Sequence, residues 1–207
     1  MILRCLFAAA VALLLGGCTG WVAETRLIPV AERDPPDLVG LYIGDEQGAA
    51  LIAPGEAGLV RITDTDQKDR PVDVAFDLLR EEPPQPPLTP TEAVEGADDA
   101  PPVPDRSYLA EFPLEGGEGR IAYVYTIVRV SGGAPADSIT LFNVLCSKAA
   151  AGFAARNEDR ICIFDDYARL RAAALDALAW QDEARLAVDS ATFRLEVEAD
   201  PMPADSP

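Results

Sequence analysis

The sequence predicts an α+β fold, a mostly antiparallel β-sheet with one main helix from the C-terminal half of the chain packed on it. Three observations predict this. Apolar residues recur with a period near two in short runs bounded by Gly, Pro and Asp over most of the chain before residue 147. A clear helical period emerges once, after residue 165. Strands precede the main helix without βαβ alternation and without a glycine-rich phosphate loop, which argues against a doubly wound parallel sheet.

The first element is not part of that fold. Arg4 gives the start a positive charge, Leu6 to Leu15 form an apolar stretch, and Gly16 and Gly17 supply small residues before Cys18. This is the pattern of a signal peptide over residues 1–17, too short for a bilayer span of about 20 apolar residues. The stretch "LLLGGCTG" also resembles the lipobox of bacterial lipoproteins, in which the cysteine after a small apolar tetrapeptide becomes the lipidated N-terminus. The resemblance covers residues 1–18. It implies a diacyl-thioether on Cys18 and, because Thr19 and not aspartate follows, a place at the periplasmic face of the outer membrane. Two or more acyl chains, each buried methylene adding about 0.8 kcal/mol, make such anchoring durable.

Residues 18–37 read as the lipidated N-terminus and a tether, with few periodic apolar positions and three prolines, Pro29, Pro35 and Pro36. Trp21 suits either the membrane interface or a contact with the domain. A single domain is then expected over 38–199. Its first strands are "LVGLYIG" (38–44), "AALIAP" (49–54), "GLVRIT" (58–63) and "VDVAFDLLRE" (72–81). In the last, Val72, Val74, Phe76 and Leu78 alternate with Asp73, Ala75, Asp77 and Leu79, so one face is meant for burial.

Residues 83–105 hold eight of the eighteen prolines and several acids. Proline lacks the donor a sheet needs, and this stretch has too little apolar surface to offset its ordering entropy, so it reads as a disordered insertion. Strand patterns resume with "SYLAEFPLE" (107–115) and "RIAYVYTIVRV" (120–130), joined by "GGEG" as a hairpin. The second is apolar on both faces and is expected to be central. "SITLFNVLC" (138–146) follows as a strand ending on Cys146, then an alanine-rich short helix from Ser147, "ICIF" (161–164), and the main helix "DYARLRAAALDALAW" capped by Asp165 or Asp166. Tyr167, Leu170, Ala174 and Leu178 fall on one stripe beside Leu175, facing the sheet. "ATFRLEVEA" (191–199) is the last strand, and 200–207 a disordered tail.

With Cys5 removed and Cys18 lipidated, Cys146 and Cys162 remain, and in an oxidising envelope they are expected to form one disulfide. The chain contains no histidine. That removes Ser-His-Asp and Cys-His nucleophiles, an imidazole base and histidine-ligated zinc. Ser147 and Lys148 are adjacent in sequence, which does not set both at one site, and no S-x-x-K spacing accompanies them. Asp64, Asp66 and Asp69 in "DTDQKD" fail the calcium-loop pattern, because its sixth position is Asp69 and its twelfth Ala75. The acids offer no pair in a distinct environment for glycoside hydrolysis. No catalytic residue, metal site or cofactor is therefore assigned.

Seventeen basic and thirty-five acidic residues give a net charge of −18, one unit more negative once Arg4 is removed. Such a surface argues against nucleic acid and against anionic headgroups as partners of the body, and permits a basic protein. The expected function is a lipid-anchored cell-envelope protein with a non-enzymatic binding, assembly or structural role. The alternative is an acidic inhibitor or immunity-type module that captures a basic envelope-targeting enzyme. The membrane partner enters through the lipid on Cys18.

Overall fold

The structure, a computed structural model, describes residues 20–44, 48–66, 70–82, 104–115, 121–158, 160–182 and 190–197. Residues 1–19, with Cys18 and the expected signal peptide, almost all of the proline-rich insertion and the tail lie outside the described residues. In chain order the elements are β1 (Gly20–Ala23), β2 (Gly40–Gly44), β3 (Gly48–Pro54), β4 (Leu59–Asp64), β5 (Val72–Glu81), β6 (Arg106–Glu115), β7 (Ile121–Ser131), β8 (Ser138–Phe142), α1 (Lys148–Phe153), β9 (Arg156–Glu158), β10 (Ile161–Ile163), α2 (Tyr167–Asp182) and β11 (Ser190–Val197).

The expected α+β sheet with one face under a helix is corrected by this arrangement. Eight strands, in the order β6-β5-β4-β3-β2-β11-β8-β7, close through the β6–β7 pairing into an antiparallel barrel, and only two α-helices and one 3-10 turn, Val30–Glu32, accompany it among the described residues. Closure also depends on β11, which joins the run from β6 to β2 to the pair β8 and β7: Phe193 stands opposite Ile139 on one side and Gly44 on the other. Each of these eight strands is thereby paired on both sides. β1, β10 and β9 extend the wall outward from β7, with β1 parallel to β10.

Alternation along the strands fills the barrel from within. Tyr42, Val74, Phe76, Tyr108, Val128 and Val130 are at most 2 % exposed and belong to one interior cluster. Burying each such side chain contributes on the order of 1.5–3 kcal/mol, so the interior is a packed core. Leu38 joins it from the segment before β2, and Ala136 from the β7–β8 turn. The Ala136 N–H donates to the Asp37 carbonyl and the Tyr42 hydroxyl to the Ala136 carbonyl, which closes that end. The same turn contains Gly132 at φ +93°, where an added Cβ would lie 2.1 Å from an Asp137 carboxylate oxygen.

The opposite strand positions are buried too, as expected for β7, apolar on both faces, and against the single buried face expected for β5. Ala75, Leu79, Leu109, Tyr125 and Ile127 form a second cluster on the outer wall, covered by α2, β1 and β10. The stripe on α2 turns inward as its spacing requires: Leu170, Ala174 and Leu178 are at most 1 % exposed, joined by Ala173, whereas Leu175 is 38 % exposed. Asp166 caps the helix, its carboxylate accepting the Arg169 N–H at 2.9 Å. Ser147 caps α1 in the same way for Ala150.

Two local expectations are corrected. β8 ends at Phe142 and not at Cys146, because β1 takes over the free side of β7: Ile127–Ser131 pair with β8, whereas Tyr123–Tyr125 pair with Trp21–Ala23. And the tether expected over 18–37 is, from Gly20 on, part of the folded body, with Trp21, Ala23 and Ile28 buried. Among the described residues no helix is long and apolar enough to cross a membrane.

Candidate functional site

The region that combines buried charge, cross-linking and proximity to Cys18 is the junction between the N-terminal segment and the outer wall of β6 and β7. β1 carries Trp21 into that wall, where its ring packs on Phe164 with centroids 5.6 Å apart and its indole N–H donates to the Leu145 carbonyl at 3.1 Å. Of the two roles open to Trp21, the buried contact is the one it has. Trp21 stands opposite Tyr125 on β7 and opposite Cys162 on β10.

Beyond β1 the chain crosses β6, and Glu111 holds it. The Glu111 carboxylate is fully buried. One oxygen accepts the backbone N–H groups of Leu27 at 2.7 Å and Ile28 at 3.1 Å and the Tyr125 hydroxyl at 2.9 Å; the other accepts from Arg26 at 3.3 Å. Arg26 also donates to the Asp73 carbonyl and lies 5.2 Å over the Tyr123 ring. A buried carboxylate is tolerated only when its lone pairs are satisfied, and here two backbone donors, a phenol and a guanidinium do so. Glu111 thus acts as a latch that fastens residues 26–28 to the barrel.

A second buried acid docks the helix. Asp77 on β5 accepts from the Tyr167 hydroxyl at 2.8 Å and from Arg171 at 3.1 Å, and Arg171 reaches on to the Leu78 carbonyl. Burial raises the Asp77 pKa above the ordinary carboxylate value, against the opposing pull of Tyr167 and Arg171. Just past the end of β5, Glu82 gathers Arg80, Arg129 and Ser107 on one carboxylate oxygen. Both groups tie neighbouring elements together.

The tyrosines make the wall sensitive to alkali. Burial raises the Tyr125 pKa above its ordinary value, with the neighbouring Glu111 charge adding to it, and raises Tyr42 to about 12, with Asp37 and Asp137 adding. Between the unfolded value near 10 and the folded value, the unfolded chain has released these protons and the folded chain has not. Stability therefore falls as pH rises, by up to about 1.4 kcal/mol per pH unit for each such tyrosine. Urea midpoints between pH 9 and 12 are expected to drop progressively, and Tyr125→Phe to flatten the decline.

The sequence-assigned residues are placed as follows. Cys146 and Cys162 are joined, with S–S 2.08 Å, beside Trp21. Cys18 lies outside the described residues. Ser147 spends its hydroxyl on the α1 cap, and Lys148 is exposed. Asp64 accepts the Asp66 N–H in a turn, and Asp69 lies outside the described residues. Among the described residues no group of three or more potential metal ligands gathers. A groove of about 310 Å³ opens between Pro35–Val39 and the β3–β4 turn, and Asp37 is the one ionisable residue on its walls.

Glu111 and Asp77 were not singled out from the sequence as site residues. The signal that could have found Glu111 is an acid in mid-strand between apolar neighbours, Leu109 and Pro113, on the same strand face. Compared with protein-family models, with curated proteins and with solved structures, the chain has no match in any of the three.

Proposed function

We propose that this is a lipid-anchored protein of the cell envelope, held by Cys18 at the periplasmic face of the outer membrane, whose barrel has a non-enzymatic binding or assembly role. The observation that carries the reading is the short link between anchor and body. β1 begins at Gly20, two residues after the lipobox cysteine, and two residues span at most about 7 Å. The segment that follows is then fastened by Glu111. A lipid on Cys18 would therefore hold the barrel itself at the bilayer, and not a domain on a long leash.

Two further features support the reading. The barrel interior is occupied by its own aromatic and branched side chains, which suits a rigid scaffold. A membrane-spanning barrel is disfavoured by the outer wall, where α2, β1 and β10 cover one side and the Arg61–Asp73 ion pair, 2.8 Å, stands on another. Binding by the outer surface is supported by Ile43 and Leu51 on β2 and β3, which expose 41 % and 45 % of their surface.

The test is fractionation after expression in a bacterium with two membranes. The chain is expected in the outer-membrane fraction, cleaved after Gly17 and carrying acyl chains on Cys18 by mass spectrometry. Cys18→Ser is expected to move it wholly to the soluble periplasm. Membrane attachment that survives this substitution would sink the proposal.

A further inference from the structure

We propose that the surface around Gly20, formed by Leu145, Lys148 and Arg160, is the face that the protein lays on phospholipid headgroups; this rests on the lipidation of Cys18 proposed above. Gly20 is the last described residue before the anchor, and its surroundings are set by the structure. Its N–H donates to the Arg160 carbonyl at 3.3 Å. The next residue, Trp21, donates to the Leu145 carbonyl at 3.1 Å. Lys148 follows Leu145 by three residues, at the start of α1, and the Cys146–Cys162 bond ties this stretch to the strand beside β1.

The chemistry of these side chains fits a bilayer surface. Leu145 is 45 % exposed although Trp21 directly beneath it is 1 % exposed, so an apolar group stands out from a dense base. Lys148 and Arg160 are exposed, and neither makes an ion pair with another described residue. Of the remaining ionisable residues on β9, Glu158 lies at the Gly20 end of the strands, opposite Ile161, while Arg156 lies at the far end and pairs with Glu24. Among the described residues two cations, Lys148 and Arg160, and one carboxylate, Glu158, surround Gly20, and Asp159, which lies outside the described residues, adds a second acid in sequence.

The short link selects the orientation. Two residues span at most about 7 Å, so the surface around Gly20 is the one that a lipid on Cys18 would bring to the headgroups. Lysine and arginine there meet lipid phosphates, and the leucine side chain reaches the acyl boundary, as at other interfacial contacts. The exposed wall at Ile43 and Leu51, on strands β2 and β3 across the barrel from β6 and β7, is left toward the periplasm.

The experiment uses the lipidated full-length chain in vesicles of phosphatidylethanolamine and phosphatidylglycerol, compared with the Cys18→Ser chain free in solution. Amine acylation of Lys148 and amide hydrogen exchange over 143–147 are expected to slow several-fold in vesicles, with exchange over 48–54 unchanged. The triple variant Leu145→Glu, Lys148→Glu, Arg160→Glu, still lipidated and with an unchanged unfolding midpoint, should return exchange over 143–147 to the solution rate. Unchanged rates at the rim in a lipidated chain, equal slowing on the far wall, or protection that persists in the triple variant would each overturn the proposal. Mass spectrometry of Cys18 separates the two readings: without acyl chains both fall, whereas acyl chains without rim protection remove this one alone.

Discussion

Glu111→Ala is expected to lower the unfolding free energy by about 3–5 kcal/mol, the cost typical of breaking a buried, hydrogen-bonded charge by removing one partner. The substitution strips the Leu27 and Ile28 N–H groups and the Tyr125 hydroxyl of their acceptor and removes the ion-pair partner of Arg26. Each orphaned buried donor costs about 1–3 kcal/mol, less whatever water recovers. Glu111→Gln keeps the shape but presents an amide NH2 where donors converge, so it should also destabilise, though by less. Urea unfolding followed by circular dichroism measures both. A loss below about 1 kcal/mol for the alanine variant would mean that the carboxylate's desolvation cost cancels its four contacts. Because the segment it holds leads directly to β1, Glu111→Ala should also raise protease cleavage after Arg26 in the native state.

Much of the strand content was legible because alternation is a local property. Val74 and Phe76 on β5, and Phe193 and Leu195 on β11, point as their period dictates. Closure was not legible. It requires β11 to meet β2 and β8 at once, and nothing in "ATFRLEV" says that Phe193 will sit between Gly44 and Ile139. The same sheet that would lie open without that pairing becomes a barrel with it. The reading of residues 18–37 as a spacer failed for a related reason. β1 is four residues long, too short to display a period, and it is a strand only because β7 and β10 offer it partners. Glu111 illustrates the limit at the site. Its strand face follows from the alternation of Ser107, Leu109 and Glu111, but nothing in that alternation says that the chain at 26–28 lies across it. The helix was the easier part, since the spacing of Leu170, Ala174 and Leu178 and the cap at Asp166 are written within one segment.

Reduction of the Cys146–Cys162 bond is the second large effect, expected to cost about 3 kcal/mol for a closed loop of this size by the loop-entropy model. The position of the bond decides what that loss touches. Cys162 is fully buried on β10, which pairs with β1, while Cys146 belongs to the irregular stretch that follows β8 and accepts the Trp21 indole N–H at Leu145. The cross-link therefore fastens together the pieces that surround Gly20, the first described residue. A Cys146→Ala, Cys162→Ala double variant should unfold at a urea concentration lowered in proportion, with the slope of the transition little changed, and the wild-type chain in reductant should match it. The loss should not be uniform along the chain. Hydrogen exchange is expected to accelerate first in β1, β9 and β10, whose ladders are three residues long, while β5, β6 and β7, paired over ten residues between β6 and β7, keep their protection. If exchange instead rises equally in all of them at low denaturant, the extension and the barrel unfold as one unit, and the N-terminal segment is coupled to the whole fold through Glu111 and not through the disulfide.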